Sequence, residues 1–154
     1  MGRSLAATLA LVALASVAGC GSGSGVEEGA SVHVYVGSGL CREAREPLSA
    51  ARGKAGEVEV RMVCLGPVTG EGAGRIDLAR QGANARRASE DSAAVAFLEA
   101  PGKPARFAAP IVAAAGIGFV VAADGAAGME RVLRAIGEAG GSGSPREKVR
   151  EALG

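Results

Sequence analysis

The chain has 154 residues, a length suited to a single domain. Its 17 Lys+Arg stand against 16 Asp+Glu, for a formal net charge of +1, so no strongly basic surface of the kind nucleic acids require is present in the composition. Twenty-five glycines, no tryptophan, one tyrosine and one histidine predict a core of small side chains with closely packed backbones and few groups for catalysis.

Arg3 is the only charged side chain among the first twenty-five residues, and an apolar run from Leu5 to Val17 follows it. A membrane span needs about 20 apolar residues, so this run is too short for one. A positive start, a short apolar core and small residues beyond it fit a secretory signal. The segment Val17-Ala18-Gly19-Cys20 resembles the lipobox of bacterial lipoproteins. That resemblance implies cleavage after Gly19, a diacylglycerol on the Cys20 sulfur and attachment to the outer face of the bacterial cell membrane. Two or more acyl chains hold a protein stably at a bilayer, whereas one holds it marginally. The processed chain would keep 154 − 19 = 135 residues and lose Arg3, leaving 16 cations against 16 acids. Gly21–Gly25 reads GSGSG, a flexible spacer. The expected organisation is a signal peptide over 1–19, a tether over 20–30 and one folded domain over 31–154.

Ser31–Val36 (SVHVYV) reads as a strand ending at Gly37. A helix is expected from about Glu46 to Lys54, with Pro47 in its first turn and Gly53 and Gly56 at its exit. Glu57–Leu65 is a second strand, and residues 66–75 form a glycine-rich loop. Ile76 to about Glu90 is helical. Ala93–Leu98 is short and wholly apolar, as buried parallel strands are. Pro104–Ala115 is a helix that accommodates Pro110 by a kink or a late start. Ile117–Ala122 is a fourth strand. Met129, Val132, Leu133 and Ile136 fall on one apolar helical face. After Gly140-Gly141, Ser144-Pro145-Arg146-Glu147 offers an N-cap, a proline at the first helical position and a capping-box glutamate. The helix it opens runs to about Leu153, with Val149 and Leu153 turned inward.

Four strand–helix alternations call for an α/β fold: a single doubly wound lobe of four or five mostly parallel strands with helices on both faces. All parallel strands then end on one edge. Cys41 lies just beyond the first strand and Cys64 near the end of the second. If those strands are neighbours, both thiols meet at that edge. An even pair in an exported chain favours a Cys41–Cys64 disulfide over two buried free thiols, worth about 3 kcal/mol through loop closure.

Gly70-Glu71-Gly72-Ala73-Gly74 is not G-x-G-x-x-G and follows the second strand, so it reads as a loop and not as a nucleotide cradle. His33 stands inside a strand with no cysteine or carboxylate at ligand spacing and reads as structural. No C-x-x-C, P-loop or G-x-S-x-G motif occurs, and Ser38 has no base beside it. Neither an enzyme nor a bound metal or cofactor is expected.

Ala83–Ser92 (ANARRASEDS), Val95–Glu99 and Pro110–Ile117 resemble "ANARRAxxDS", "VAYIGE" and "PILNEAGI" in the first lobe of branched-chain amino-acid-type substrate-binding proteins of ABC transporters, the type I periplasmic binding fold. Val34-Tyr35-Val36 fits the opening strand of that family, and the likeness covers Ser31 to about Val121. Gly128–Gly140 resembles the family's late helix "YEAMxxVLxAIxxAG", and Arg146 with Val149–Leu153 continues it. In full-length members most of a second lobe separates these pieces, and the late helix packs back on the first lobe. The resemblance therefore implies one self-contained lobe without its partner.

The family holds an amino-acid ligand between its lobes, with small hydroxyl residues and backbone groups after the third and fourth strands. Here those loops read Ala100-Pro101-Gly102-Lys103 and Val121-Ala122-Ala123-Asp124-Gly125, without Ser or Thr. Asp124 would place a negative charge where a carboxylate belongs. The expected ligand or partner edge is Ser38, Ala100, Gly102, Lys103 and Asp124, at the strand carboxyl ends. The expected function is that of a surface-anchored relative of a solute-binding component, with amino-acid binding in doubt. The alternative is a non-enzymatic module that binds a permease, another envelope protein or a second lobe-like protein.

Overall fold

The computed structural model describes residues 31–70, 75–139 and 144–154. The signal peptide, Cys20, the tether, the centre of the glycine-rich loop and the Gly140-Gly141 pair lie outside the described residues.

The elements are β1 (Ser31–Val36), α1 (Cys41–Ala50), β2 (Lys54–Ala55), β3 (Val58–Cys64), α2 (Leu78–Glu90), β4 (Ala94–Glu99), α3 (Lys103–Ala114), β5 (Gly118–Val121), α4 (Gly125–Glu138) and α5 (Pro145–Leu153). They build an α/β fold around one five-stranded sheet in the order β2-β3-β1-β4-β5. All pairings are parallel except β2 with β3.

Alternation along β1 assigns the two faces. Val32, Val34 and Val36 join a cluster with Ala44 of α1, Met129, Val132 and Ile136 of α4, and Val149 and Leu153 of α5. Tyr35 points the other way, to Ala85 and Ala88 of α2, Ala108 and Val112 of α3, and Phe97. Helices thus cover both faces, and β4 is buried along its whole length, as a central parallel strand must be. The apolar stripe read on residues 129–136 is the inward face of α4, with Leu133 at its margin.

Several boundaries differ from the sequence reading. The first helix begins at Cys41, so Pro47 lies inside it and not in its first turn. An internal proline removes a backbone hydrogen bond, at a cost of about 3 kcal/mol or more. Tertiary contact overrides that penalty: Cys41 and Ala44 are buried, and the helix start packs hard against α4. The contact is close enough that a Cβ on Gly125 would stand 2.4 Å from the Leu40 carbonyl oxygen. The helix also ends earlier than expected. Lys54–Ala55 then pairs antiparallel with β3 across a tight turn, where Gly56 has φ 61°.

Asp77 caps α2 by accepting from the Arg80 N–H at 2.9 Å, which moves the helix start to Leu78. The base of the glycine-rich loop is closed by a Thr69–Ile76 bridge. Pro110 stays within α3 on its exposed side, where the carbonyl left without a partner can be hydrated.

Ser144 occupies the N-cap position of α5 but makes no side-chain cap bond, so the expected capping box does not form. Arg146 anchors this helix instead. Its guanidinium donates to the carbonyls of Ala94 (2.9 Å), Ala115 (3.1 Å) and Asp91.

Candidate functional site at the carboxyl edge of the sheet

The chain leaves β1 through α1 toward β3 on one side and later enters β4 on the other. The point between β1 and β4 is therefore where the winding reverses. In open α/β sheets, ligands bind beyond the strand carboxyl ends at such a point. Gly37–Leu40 follows β1 there, and Ala100–Gly102 follows β4.

That crevice is filled by the protein's own side chains. Glu99, the last residue of β4, is only 6% exposed, and Gln81 of α2 is fully buried. The Gln81 amide donates to Glu99 Oε2 at 3.0 Å and to the Pro104 carbonyl at 3.2 Å. The Ala100 N–H donates to Glu99 Oε1 at 3.0 Å. Among the described residues no ion pair involves Glu99, so its oxygens rest on N–H donors. A buried carboxylate requires such donors, because desolvation without them is very costly. Gln81 Oε1 is left with no partner. Glu99 Oε1 occupies the space of a side chain at Gly37, where a Cβ would stand 2.2 Å away. Glycine at that position is what admits the carboxylate.

Neither Gln81 nor Glu99 was singled out from the sequence, although each leaves a trace there. Glu99 ends an otherwise apolar strand. Gln81 shares its helical face with Ala85 and Ala88, both buried.

The expected edge residues are distributed along the same side. Ser38 and Lys103 are exposed, and Ala100 is half-buried. Gly102 is the N-cap of α3 with φ 135°, a backbone that disfavours any side chain. The contact of Glu99 with Gly37 places the β1 and β4 loops side by side. Asp124 lies farther on, after β5, and its carboxylate accepts from the Ala127 N–H at 2.8 Å as the cap of α4. Glu43 accepts from the Gly125 N–H at 3.0 Å. Two acids of this chain thus serve the α4 start, and a ligand carboxylate would meet negative charge there.

The Cys41–Cys64 disulfide lies on the same edge, with a Cα–Cα distance of 5.8 Å. Val36 and Cys64 are register partners on adjacent strands, the neighbour relation on which the pairing was expected. The bridge ties the β1–α1 turn to the end of β3.

Near the amino ends of the strands, His33 donates to Asp91 Oδ2 at 2.6 Å and the Tyr35 hydroxyl donates to the same oxygen at 2.8 Å. The Ala93 N–H donates to Asp91 Oδ1 at 3.0 Å. Burial pushes the Asp91 carboxyl up, but these hydrogen bonds outweigh it and hold the carboxyl below its usual range. Burial, followed by the bond to Asp91, raises the Tyr35 hydroxyl. His33 thus has a structural partner 58 residues away. Among the described residues no group of three or more His, Cys, Asp or Glu side chains is placed to hold a metal ion.

Comparison with known proteins returns no match to a family model, a curated protein or a solved structure.

Proposed function

We propose that this chain is an exported lipoprotein, held to the outer face of a bacterial membrane through Cys20. In this reading its α/β lobe is related to the first lobe of amino-acid-type solute-binding components of ABC transporters, and it no longer captures solute. The supporting observation is that the two segments carrying the resemblance share one core. Val95 and Leu98 from the earlier segment pack in the same cluster as Met129, Val132, Ile136, Val149 and Leu153 from the later one. A lobe that buries its late helices on its own sheet leaves no half-domain exposed.

Loss of solute binding follows from the edge chemistry. Glu99 fills the crevice against Gly37, and Asp124 is committed to capping α4. The role that remains is non-enzymatic attachment to an envelope partner such as a transporter permease. Isothermal titration with branched-chain and other small amino acids at millimolar concentration tests the solute claim. Flat heats are expected, and a saturable heat would overturn the claim. Crosslinking from intact cells tests attachment. A discrete permease adduct is expected, and recovery of monomer alone would refute it.

A further inference from the structure

The two helical layers differ in charge. On one face, α2 and α3 together carry five cations (Arg80, Arg86, Arg87, Lys103, Arg106) and one acid (Glu90), a net of +4. On the other, α1, α4 and α5 carry seven cations against six acids, a net of +1. Of the three large apolar side chains that stand exposed among the described residues, the α2–α3 layer bears two, Leu78 (46%) and Phe107 (39%). The third, Val121 (47%), lies on the adjoining edge strand β5.

These features form one surface. Leu78, Lys103, Arg106 and Phe107 line a shallow hollow of about 310 Å³. A second hollow shares Leu78 and Lys103 with it. A third shares Arg106 and continues to Phe119 and Val121. At Gly82 a Cβ would stand 3.4 Å from both the Phe107 ring and the Arg86 guanidinium, so Arg86 sits beside Phe107 across the helix pair. Among the described residues no ion pair engages Arg86, Lys103 or Arg106. Exposed apolar groups ringed by unpaired cations mark an interaction surface and not a solvated face.

We propose that the α2–α3 face docks on an anionic lipid bilayer. Exposed apolar side chains inserted at the headgroup level, with cations facing acidic lipids, are the chemistry of peripheral membrane binding. The hollows are shallow and lined by long cationic and apolar side chains, which suits a deformable surface better than the deep pockets protein anchors need. The proposal rests in part on the lipid-anchored reading, because the anchor supplies proximity. Cys20 to Ala30 is eleven residues, about 36–40 Å when extended. The thirteen-residue α2 is only about 20 Å long, so the tether lets the domain lie on this face. Docking would leave the α1, α4 and α5 layer turned away from the lipid.

The test uses residues 20–154 with Cys20→Ser, since every described strand and helix, both core clusters and the disulfide lie within 31–154. Folding of each variant is verified by circular dichroism. Co-sedimentation is measured with phosphatidylcholine vesicles and with vesicles that also contain phosphatidylglycerol. Binding is expected only to the anionic vesicles and is lost at high salt. Replacing Lys103→Ala with Arg106→Ala should weaken it about 25-fold, near fivefold for each cation. Phe107→Ser should weaken it as well, and Arg45→Ala with Arg134→Ala on the opposite layer should leave it unchanged. No binding to anionic vesicles at low salt overturns the proposal, as do equal losses from the two double variants. Capture by polyglutamate in the absence of vesicle binding overturns it in favour of an acidic protein partner. The anchor is read separately, by mass spectrometry of Cys20 from the host. An unmodified Cys20 with vesicle binding intact refutes the anchor alone, and a lipidated Cys20 without vesicle binding refutes the docking face alone.

Discussion

Gly37→Ala is the sharpest probe of the filled crevice. Gly37 does not have a positive φ, so alanine meets no backbone strain there, and by unfolded-state entropy alone it would stabilise the fold by up to about 1 kcal/mol. The structure predicts the opposite. The new Cβ would lie 2.2 Å from Glu99 Oε1 and 2.8 Å from its carboxyl carbon, so the carboxylate must retreat by more than an ångström to reach ordinary contact. Retreat breaks the bonds from Ala100 N–H and from the Gln81 amide. Hydrogen bonds to a charged group contribute about 1.5–3 kcal/mol each, and the carboxylate recovers part of that from water if it swings outward. The expected net loss is about 2–4 kcal/mol, measured by urea unfolding at neutral pH. Glu99→Ala removes the obstacle at its own cost of about 2–3 kcal/mol, chiefly because the Gln81 amide keeps only its bond to the Pro104 carbonyl and the Ala100 N–H loses its acceptor. In that background Gly37→Ala should cost nothing further, a coupling of 2 kcal/mol or more between the two sites. If Gly37→Ala alone stays within about 0.5 kcal/mol of the parent, or if the two losses simply add, the crevice is not filled as described.

Two further outcomes concern stability. Mass spectrometry without reduction should find the Cys41 and Cys64 peptides joined in protein exported by its host. Cys41→Ser with Cys64→Ser should lower unfolding free energy by about 3 kcal/mol, as expected for the 23-residue separation; two alkylatable thiols would contradict the bridge. Asp91→Asn should cost about 2 kcal/mol at neutral pH through the His33, Tyr35 and Ala93 hydrogen bonds. Because the folded carboxyl lies below its ordinary 3.8, the unfolded state binds its proton first as pH falls. That stabilisation is therefore complete above about pH 4–5 and is lost as pH drops through the lower, folded value. A loss that persists undiminished in strong acid would contradict the assignment.

Strand positions and helix faces were legible because they are local. The alternation in SVHVYV and the stripe at 129, 132 and 136 repeat with the period of the element that buries them. Glycines at 53 and 56 mark real turns, with φ 71° and 61°. Local rules failed where a distant contact outweighed them. Pro47 reads as a helix start, yet burial of Cys41 and Ala44 extends α1 back by more than a turn. Ser144 and Glu147 read as a capping box, yet Arg146 reaching carbonyls 52 and 55 residues away positions α5 instead.

The amino-acid order alone determined that the described chain alternates strand and helix, which faces are apolar, and that one cysteine follows the first strand while another lies near the end of the next predicted one. Those properties depend on residues within a few positions of one another. Tertiary structure decided what occupies the carboxyl edge. Glu99 and Gln81, 18 residues apart, meet only when α2 lies across β4, and Gly37, which admits the Glu99 carboxylate, comes from the turn after β1. Solvation of a buried charge depends on every group around it, and those groups are gathered by the fold, not by proximity in the chain.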